Sequence, residues 1–188
     1  ILSEMILCVR LVVRVTPQLT DEDFCIRLRE SGCIMLKLGI ESGDAAVLGA
    51  LNKGIDPKTV SAVLKNLKAA GIAAYVYLLF GTPAESPASA RLTLDFAAAH
   101  AEEIAFLNLA IFNLPIHASE AMRLDTGEFY PGDLSLYRPF RHPQGWNRGV
   151  VRRFLESEFK RHPDIAEILR RDPPFFTSNH APFFVMPP

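Results

Sequence analysis

The stretch IMLKLGIESG, Ile34 to Gly43, decides how the rest of the chain is read. Its first half is apolar and partly β-branched, the composition of a strand buried on both faces. Its end changes character. Gly39 removes a side chain where something must approach the backbone closely. Glu41 and Ser42 place a carboxylate and a hydroxyl at the strand's carboxyl end, and Gly43 releases the chain into a turn. Parallel α/β folds bind their ligands beyond the carboxyl ends of the strands. Glu41 and Ser42 are therefore candidate ligand contacts, set against the plainer alternative of a solvated strand end with Ser42 as a helix cap.

On the N-terminal side, Leu7–Val15 (LCVRLVVRV) reads as a buried strand interrupted by Arg10 and Arg14, closed by Thr16-Pro17. Thr20 then serves as N-cap of an acidic-first helix that runs to about Ser31, with Gly32 past its end. On the C-terminal side, Asp44–Leu51 reads as a short helix and Asn52-Lys53-Gly54 as a turn. Asp56 caps a helix with Pro57 at its first position, Val60, Val63, Leu64 and Leu67 recurring at helical spacing, and Gly71 closing it. Ile72–Phe80 (IAAYVYLLF) is a further strand ending in Gly81-Thr82-Pro83-Ala84-Glu85. Ser86-Pro87 opens the next helix, to about His100, and Ile104–Phe112 is the fourth strand. Strands alternating with helices of this length imply βαβ units and a parallel sheet. Beyond it, 113–138 is irregular, Gly149–Arg161 is helical, Pro163 opens a last short helix, and the chain ends in a Pro- and Phe-rich tail.

The 188 residues suffice for one domain with a sizeable core, and 49% of them are hydrophobic, so the chain is globular. No apolar run reaches the length of a membrane span. Cys8, Cys25 and Cys33 are odd in number and have no CxxC spacing, which argues against a disulfide framework and a self-contained zinc site and fits a reducing, cytoplasmic setting. The net charge of −1 hides an asymmetry: residues 1–137 carry 11 Lys/Arg and 16 Asp/Glu, and residues 138–171 carry 9 and 4. The chain also starts at Ile1 close to its first strand, so it is expected to be the C-terminal part of a longer protein. The first strand would then be an exposed apolar edge that invites self-association in isolation.

Three features stand in order: a strand carrying Arg14; SGCIMLKLGIESG followed by LNKGI at Leu51–Ile55; and AGIAAYVYLLFGTPAES at Ala70–Ser86. Together they resemble the C-terminal half of the radical S-adenosylmethionine (SAM) catalytic barrel, within the group containing methylthiotransferases and cobalamin-dependent members. The resemblance covers roughly Val12–Phe112. Gly145-Trp146-Asn147-Arg148 and Pro173–Phe184 are similar to the tail of bacterial radical SAM proteins of undefined substrate. It implies a partial (β/α) TIM-type barrel over 1–115, followed by a loop and helical extension over 116–188. It also implies an enzyme of the Fe–S oxidoreductase type that cleaves SAM reductively at a [4Fe–4S] cluster to start radical chemistry. The family's CxxxCxxC loop and its glycine-rich strand end both lie before this segment, and the Gly of its "PgE" motif is Ala84 here. The cluster ligands are thus expected upstream, in an N-terminal half-barrel that would be this segment's partner. Some members of the group also use cobalamin.

Under the same resemblance, Arg14 is the basic residue near the SAM carboxylate, and Glu41 and Ser42 sit by the ribose and methionine portions. Gly81 and Pro83 offer bare backbone to the adenine. Inward strand parity, shared with Gly39 and Lys37 if Glu41 points inward, makes Tyr77 and Asn108 substrate candidates. His180, in the polar Ser178-Asn179-His180 cluster of the tail, is a third. The plainer readings are an Arg14–Glu41 salt bridge, a core-filling Tyr77, a Glu85 that braces the helix after it, and a surface-packed tail. Two rival functions remain. One is another TIM-barrel enzyme with Glu41 as general base, which lacks a visible nucleophile or metal set. The other is a module binding RNA through basic 138–171. There the interleaved Phe140, Trp146, Phe154 and Phe159 recur at helical spacing, which favours packing over nucleic acid as a partner.

Overall fold

The computed structural model describes residues 10–13, 15–127 and 135–171. Four strands, β1 (Arg10–Val13), β2 (Met35–Glu41), β3 (Ala73–Phe80) and β4 (Ile104–Ile111), lie side by side in that order. Every neighbouring pair is parallel. Parallel neighbours require a crossover, and helices supply each one: α1 (Glu22–Glu30), then α2 (Ala45–Ala50) with α3 (Pro57–Ala69), then α4 (Pro87–Ala99). The sequential, all-parallel order expected from the sequence is the order observed.

Period-2 alternation gives the sheet two different faces. Leu36, Leu38 and Ile40 on β2, with Ala74, Val76, Leu78 and Phe80 on β3, are buried beneath the helices in one core with Val60, Val63, Leu64 and Leu67 of α3. The opposite face carries Met35, Tyr75 and Phe106 as a second cluster, with Tyr77 packed against it. On that face Lys37 holds its ammonium 5.8 Å from the centre of the Tyr75 ring, a cation over an aromatic face.

The C-terminal extension shares the first core. Helices α5 (Arg148–Ser157) and α6 (Pro163–Arg170) bring Phe154, Ile165 and Ile168 into it. Phe80, at the end of β3, packs against Phe154 at 6.1 Å and Phe159 at 5.2 Å between ring centroids. Arg171 donates from Nη1 to the Ile104 carbonyl at 3.1 Å, fastening the end of α6 to the start of β4.

Several boundaries differ from the sequence reading for local reasons. The N-cap of α1 is Asp21, which accepts from the Asp23 amide; Thr20 instead closes a 3-10 turn over Pro17–Thr20. The helix expected over 149–161 divides: α5 stops at Ser157 and a 3-10 turn at Phe159–Arg161 drops Phe159 into the core. The irregular stretch after β4 contains a short antiparallel ladder, β5 (Leu114–Pro115) with β6 (Tyr137–Arg138). The caps by Asp56 and Ser86 stand as read, accepting from the Thr59 and Ser89 amides.

The end of β2 is fastened to α4. Ser42 is 1% exposed, and its Oγ shares a 3.0 Å hydrogen bond with Thr93 Oγ1, which also accepts the Gly43 amide. A Cβ on Gly43 would lie 2.6 Å from Phe96 Cβ and 2.9 Å from the Leu92 carbonyl oxygen, so only glycine permits this approach. Gly43→Ala should therefore destabilise the protein by about 1–3 kcal/mol, as overpacking does. Denaturant midpoints check this, and an unchanged midpoint would show that the joint between β2 and α4 is loose.

Candidate functional site

The carboxyl ends of β2, β3 and β4 lie at one edge of the sheet, as parallel pairing dictates. The end of β2 is built around a strained residue. Glu41 has φ 70°, and the Ser42 amide donates to the Ile40 carbonyl at 2.9 Å across it. This is a three-residue γ-turn in its rare positive-φ form. The strand register shifts at the same place, between Gly39 and Glu41. The turn folds the carboxylate back over Gly39, where a Cβ would meet Glu41 Oε1 at 2.9 Å. Gly39 is bare because the carboxylate occupies the space above it.

Glu41 Oε1 accepts from Lys53 Nζ at 2.7 Å, with the two side chains 18% and 25% exposed. Among the described residues Glu41 is thus paired with Lys53, in the turn after α2; the Arg14 pairing considered from the sequence falls on a residue outside them. His180 also lies outside the described residues. The Ser42 hydroxyl is buried, bonded to Thr93 and accepting the Asp44 amide at the start of α2, so it holds the joint to α4.

The end of β3 is the turn from Gly81 to Glu85. Gly81 has φ 80°, a conformation that favours glycine. Its amide donates to Glu85 Oε2, and Trp146 Nε1–H donates to the same oxygen at 2.7 Å. Glu85 is fully buried, and Oε1 has no partner among the described residues. Burial pushes its carboxyl up to about 7; the Gly81 and Trp146 bonds pull the other way, and the Asp44 charge adds to the rise. His142 closes the turn from a second side. Its Nδ1 accepts the Gln144 and Trp146 amides, so Nε2 carries the proton and donates to the Thr82 carbonyl at 2.8 Å. Pro83 is half-buried within the turn and Ala84 is exposed.

A cavity of about 360 Å³ opens between the ends of β3 and β4 and the extension, with Gly81, Phe112, Asn113, Phe140, Trp146 and Arg148 among the residues around it. Phe112 and Phe140 meet edge to face at 5.8 Å, and Arg148 Nη1 donates to Asn113 Oδ1 at 2.6 Å. Tyr77 and Asn108 are register partners on the face of the sheet opposite the helices, and Gly39 is the partner of Tyr77 on the other side. These two half-buried side chains thus share a row beside the Glu41 carboxylate, as inward parity anticipates.

The structure brings to this edge four residues whose role here sequence reasoning does not assign. Lys53 sits inside the LNKGI segment, where the pattern shows only a turn. Thr93 looks like one more helix residue. His142 is a loop histidine, and Trp146 merely precedes a helix. Their signals are present only as chemistry: a lone tryptophan and a histidine close together in a basic loop, each with a polar end to satisfy.

The chain is similar to coproporphyrinogen III oxidase (HemN) from Escherichia coli, a radical SAM enzyme: 18% identity, TM-score 0.58, over 79% of this chain and 31% of that one. It is also similar to the radical SAM methyltransferase TsrM from Kitasatospora setae with cobalamin and a [4Fe–4S] cluster bound: 18% identity, TM-score 0.53, over 88% of this chain and 36% of that one. The form of TsrM with tryptophan and a SAM analogue bound gives 14% identity and a TM-score of 0.57, over 88% and 35%. The chain has the fold of part of a radical SAM core. It spans about a third of the length of these structures. No protein-family model and no curated protein matches it. No described helix is long and apolar enough to cross a membrane.

Glu85 makes stability depend on pH with a definite sign. A carboxyl whose folded value is raised binds its proton more tightly in the folded state, so its contribution is full at low pH. That contribution is lost as pH rises from the ordinary carboxylate range to about 7 and is level above it. At about 1.4 kcal/mol per pH unit the loss amounts to ~3 kcal/mol at most. Glu85→Gln has nothing to titrate there, so the stability difference between wild type and variant should change across pH 4.5–7. A difference independent of pH, measured by denaturant titration, would mean that Glu85 is not buried as described.

Proposed function

We propose that this chain supplies a SAM-facing wall and part of the substrate wall of a radical SAM enzyme. One observation carries the reading. In a fold shared with radical SAM structures, the carboxyl ends of the strands carry an ion pair, a bare positive-φ glycine turn and a partly aromatic cavity. The cavity volume lies in the lower part of the range for small-molecule sites.

The chain's own residues divide the work. The Gly81–Pro83 turn and the backbone of Phe112–Leu114 would present N–H and C=O groups to the adenine edge. Phe112 and Phe140 would cover its ring. Glu41 would accept hydrogen bonds from ribose hydroxyls, and Lys53, already beside it, would meet the carboxylate of the methionine portion. Arg14 remains a second candidate for that task. Tyr77 and Asn108, in their row on the same face as Glu41, would touch the substrate, with His180 a further candidate. Bound SAM, cleaved reductively at a [4Fe–4S] cluster, supplies the radical chemistry; the protein orients it and excludes water. The described cysteines do not fit the cluster. Cys25 and Cys33 are both buried in the core beneath the helices, and no group of three metal-ligating side chains occurs among the described residues. The thiolates would come from a preceding half-barrel. Cobalamin belongs to one of the structural relatives and enters no step here.

The test uses the intact protein with its cluster reconstituted anaerobically. The expected results are SAM binding in equilibrium dialysis and release of 5′-deoxyadenosine on reduction. Lys53→Ala and Gly81→Val should each weaken SAM binding by about tenfold or more, the scale of one lost charge-assisted hydrogen bond or a blocked approach. Lys68→Ala, whose lysine pairs with Glu102 far from this edge, should bind as wild type. Wild-type protein that neither binds SAM nor releases 5′-deoxyadenosine would overturn the reading.

A further inference from the structure

The turn that contributes Gly81 to the cavity wall has one closing bond of its own, from the Glu85 amide to the Thr82 carbonyl at 2.9 Å, and is otherwise held from outside. Gly81 takes a conformation that needs support, and the turn's own polar atoms are buried: Thr82 Oγ1 and Glu85 Oε1 have no partner among the described residues. Two of its fixings come from residues some sixty positions later in the chain. Trp146 Nε1–H donates to Glu85 Oε2, the oxygen that also receives the Gly81 amide, and His142 Nε2–H donates to the Thr82 carbonyl. The two residues are themselves linked, since the Trp146 amide donates to His142 Nδ1 at 3.3 Å. Both are buried, 3% and 4% exposed, and Trp146 packs edge to face on Phe154 of α5 at 5.5 Å. Their fixed positions therefore derive from the extension's share of the core.

We infer that Trp146 and His142 are positioning residues for the cavity: from the C-terminal extension they set the Gly81–Glu85 turn, so the extension governs the affinity of the small molecule bound against that turn. The inference rests on the proposed reading for the identity of that molecule, SAM, but not for the clamp itself. The mechanism is electrostatic and geometric. An ionised Glu85 accepts both N–H groups on one oxygen. When the carboxyl takes up a proton, it becomes a weaker acceptor, and the shared anchor of Gly81 and Trp146 weakens. The titratable group whose charge reaches Glu85 is Asp44 at the start of α2; His142 bonds the Thr82 carbonyl of the same turn. Trp146→Phe removes one N–H that favours the anion, and so moves the ionisation of Glu85 to higher pH.

The indole is its own reporter. In the intact protein, the fluorescence difference between wild type and Trp146→Phe isolates this one side chain. We expect that difference to titrate with a midpoint near the value of Glu85, about 7, and to lose the titration when both proteins carry Glu85→Gln. SAM affinity, read by equilibrium dialysis across the same pH range, should fall as pH drops through that midpoint in wild type. Trp146→Phe should weaken binding about tenfold at pH 7 and recover part of the loss at pH 8.5; a merely structural lesion would not recover with pH. His142→Gln should weaken binding without moving the Glu85 midpoint. If wild type binds SAM and both variants bind it equally well at every pH, the inference is wrong and the proposed function stands. If wild type binds no SAM, the proposed function fails, and the fluorescence decides the clamp: a Glu85-dependent midpoint supports it, and a flat profile overturns it. Should Trp146→Phe fail to fold, the fluorescence of wild type compared with Glu85→Gln separates the same two outcomes.

Discussion

A buried carboxylate that receives two N–H groups on one oxygen ties the two parts of this chain together. Glu85 belongs to the turn after β3, Gly81 to the end of that strand, and Trp146 to the extension. Removing a carboxylate from water is unfavourable unless it is paired or hydrogen-bonded. Here burial outweighs the two bonds, which is why its proton is held up to about 7. The arrangement stays in place because both parts of the chain hold it. Gly81 follows directly on β3, Trp146 is packed against Phe154, and Pro87 and the Ser86 cap start α4 immediately afterward.

The neighbouring strand end solves a similar problem by different means. Glu41 occupies a positive-φ position that costs of order 1–3 kcal/mol for a residue with a side chain. The strain is held by contacts on both sides: Lys53 pairs with the carboxylate, and the next two residues are fastened to Thr93. Strain that is so thoroughly supported collects at binding sites. Its effect here is to turn the carboxylate back over Gly39, onto the face of the sheet that carries Tyr77 and Asn108.

The strands and their order are legible because each is a short β-branched or apolar run and the first three are each followed by a helical pattern. Asp56-Pro57 and Gly71 bracket α3 as local chemistry alone requires. The position of Glu41 at a strand end is legible for the same reason. Its partner is not, because Lys53 lies 12 residues on and meets it only through the path of α2 and the turn after it. Ser42 is legible by type alone, as a hydroxyl at a strand end. What decides its role is α4, whose Thr93 reaches it from 51 positions away. Parity predicts the face on which Gly39 and the Glu41 carboxylate lie, but not the γ-turn and register shift by which Glu41 reaches it. The part played by Trp146 and His142 is hidden for the most general reason: an extension's contacts with a preceding domain leave no periodic trace in either segment.

Hydrogen exchange by mass spectrometry on the cluster-reconstituted intact protein, with and without SAM, tests most directly that the carboxyl-end rim is the SAM wall. The account predicts that SAM slows exchange in peptides covering Gly81–Glu85 and Phe112–Leu114, with a smaller effect around Glu41–Asp44. Peptides at the amino ends of the strands, around Cys33–Ile34 and Glu102–Glu103, should be unchanged. Protection confined to that opposite end, or absent from the Gly81–Glu85 turn, would contradict it.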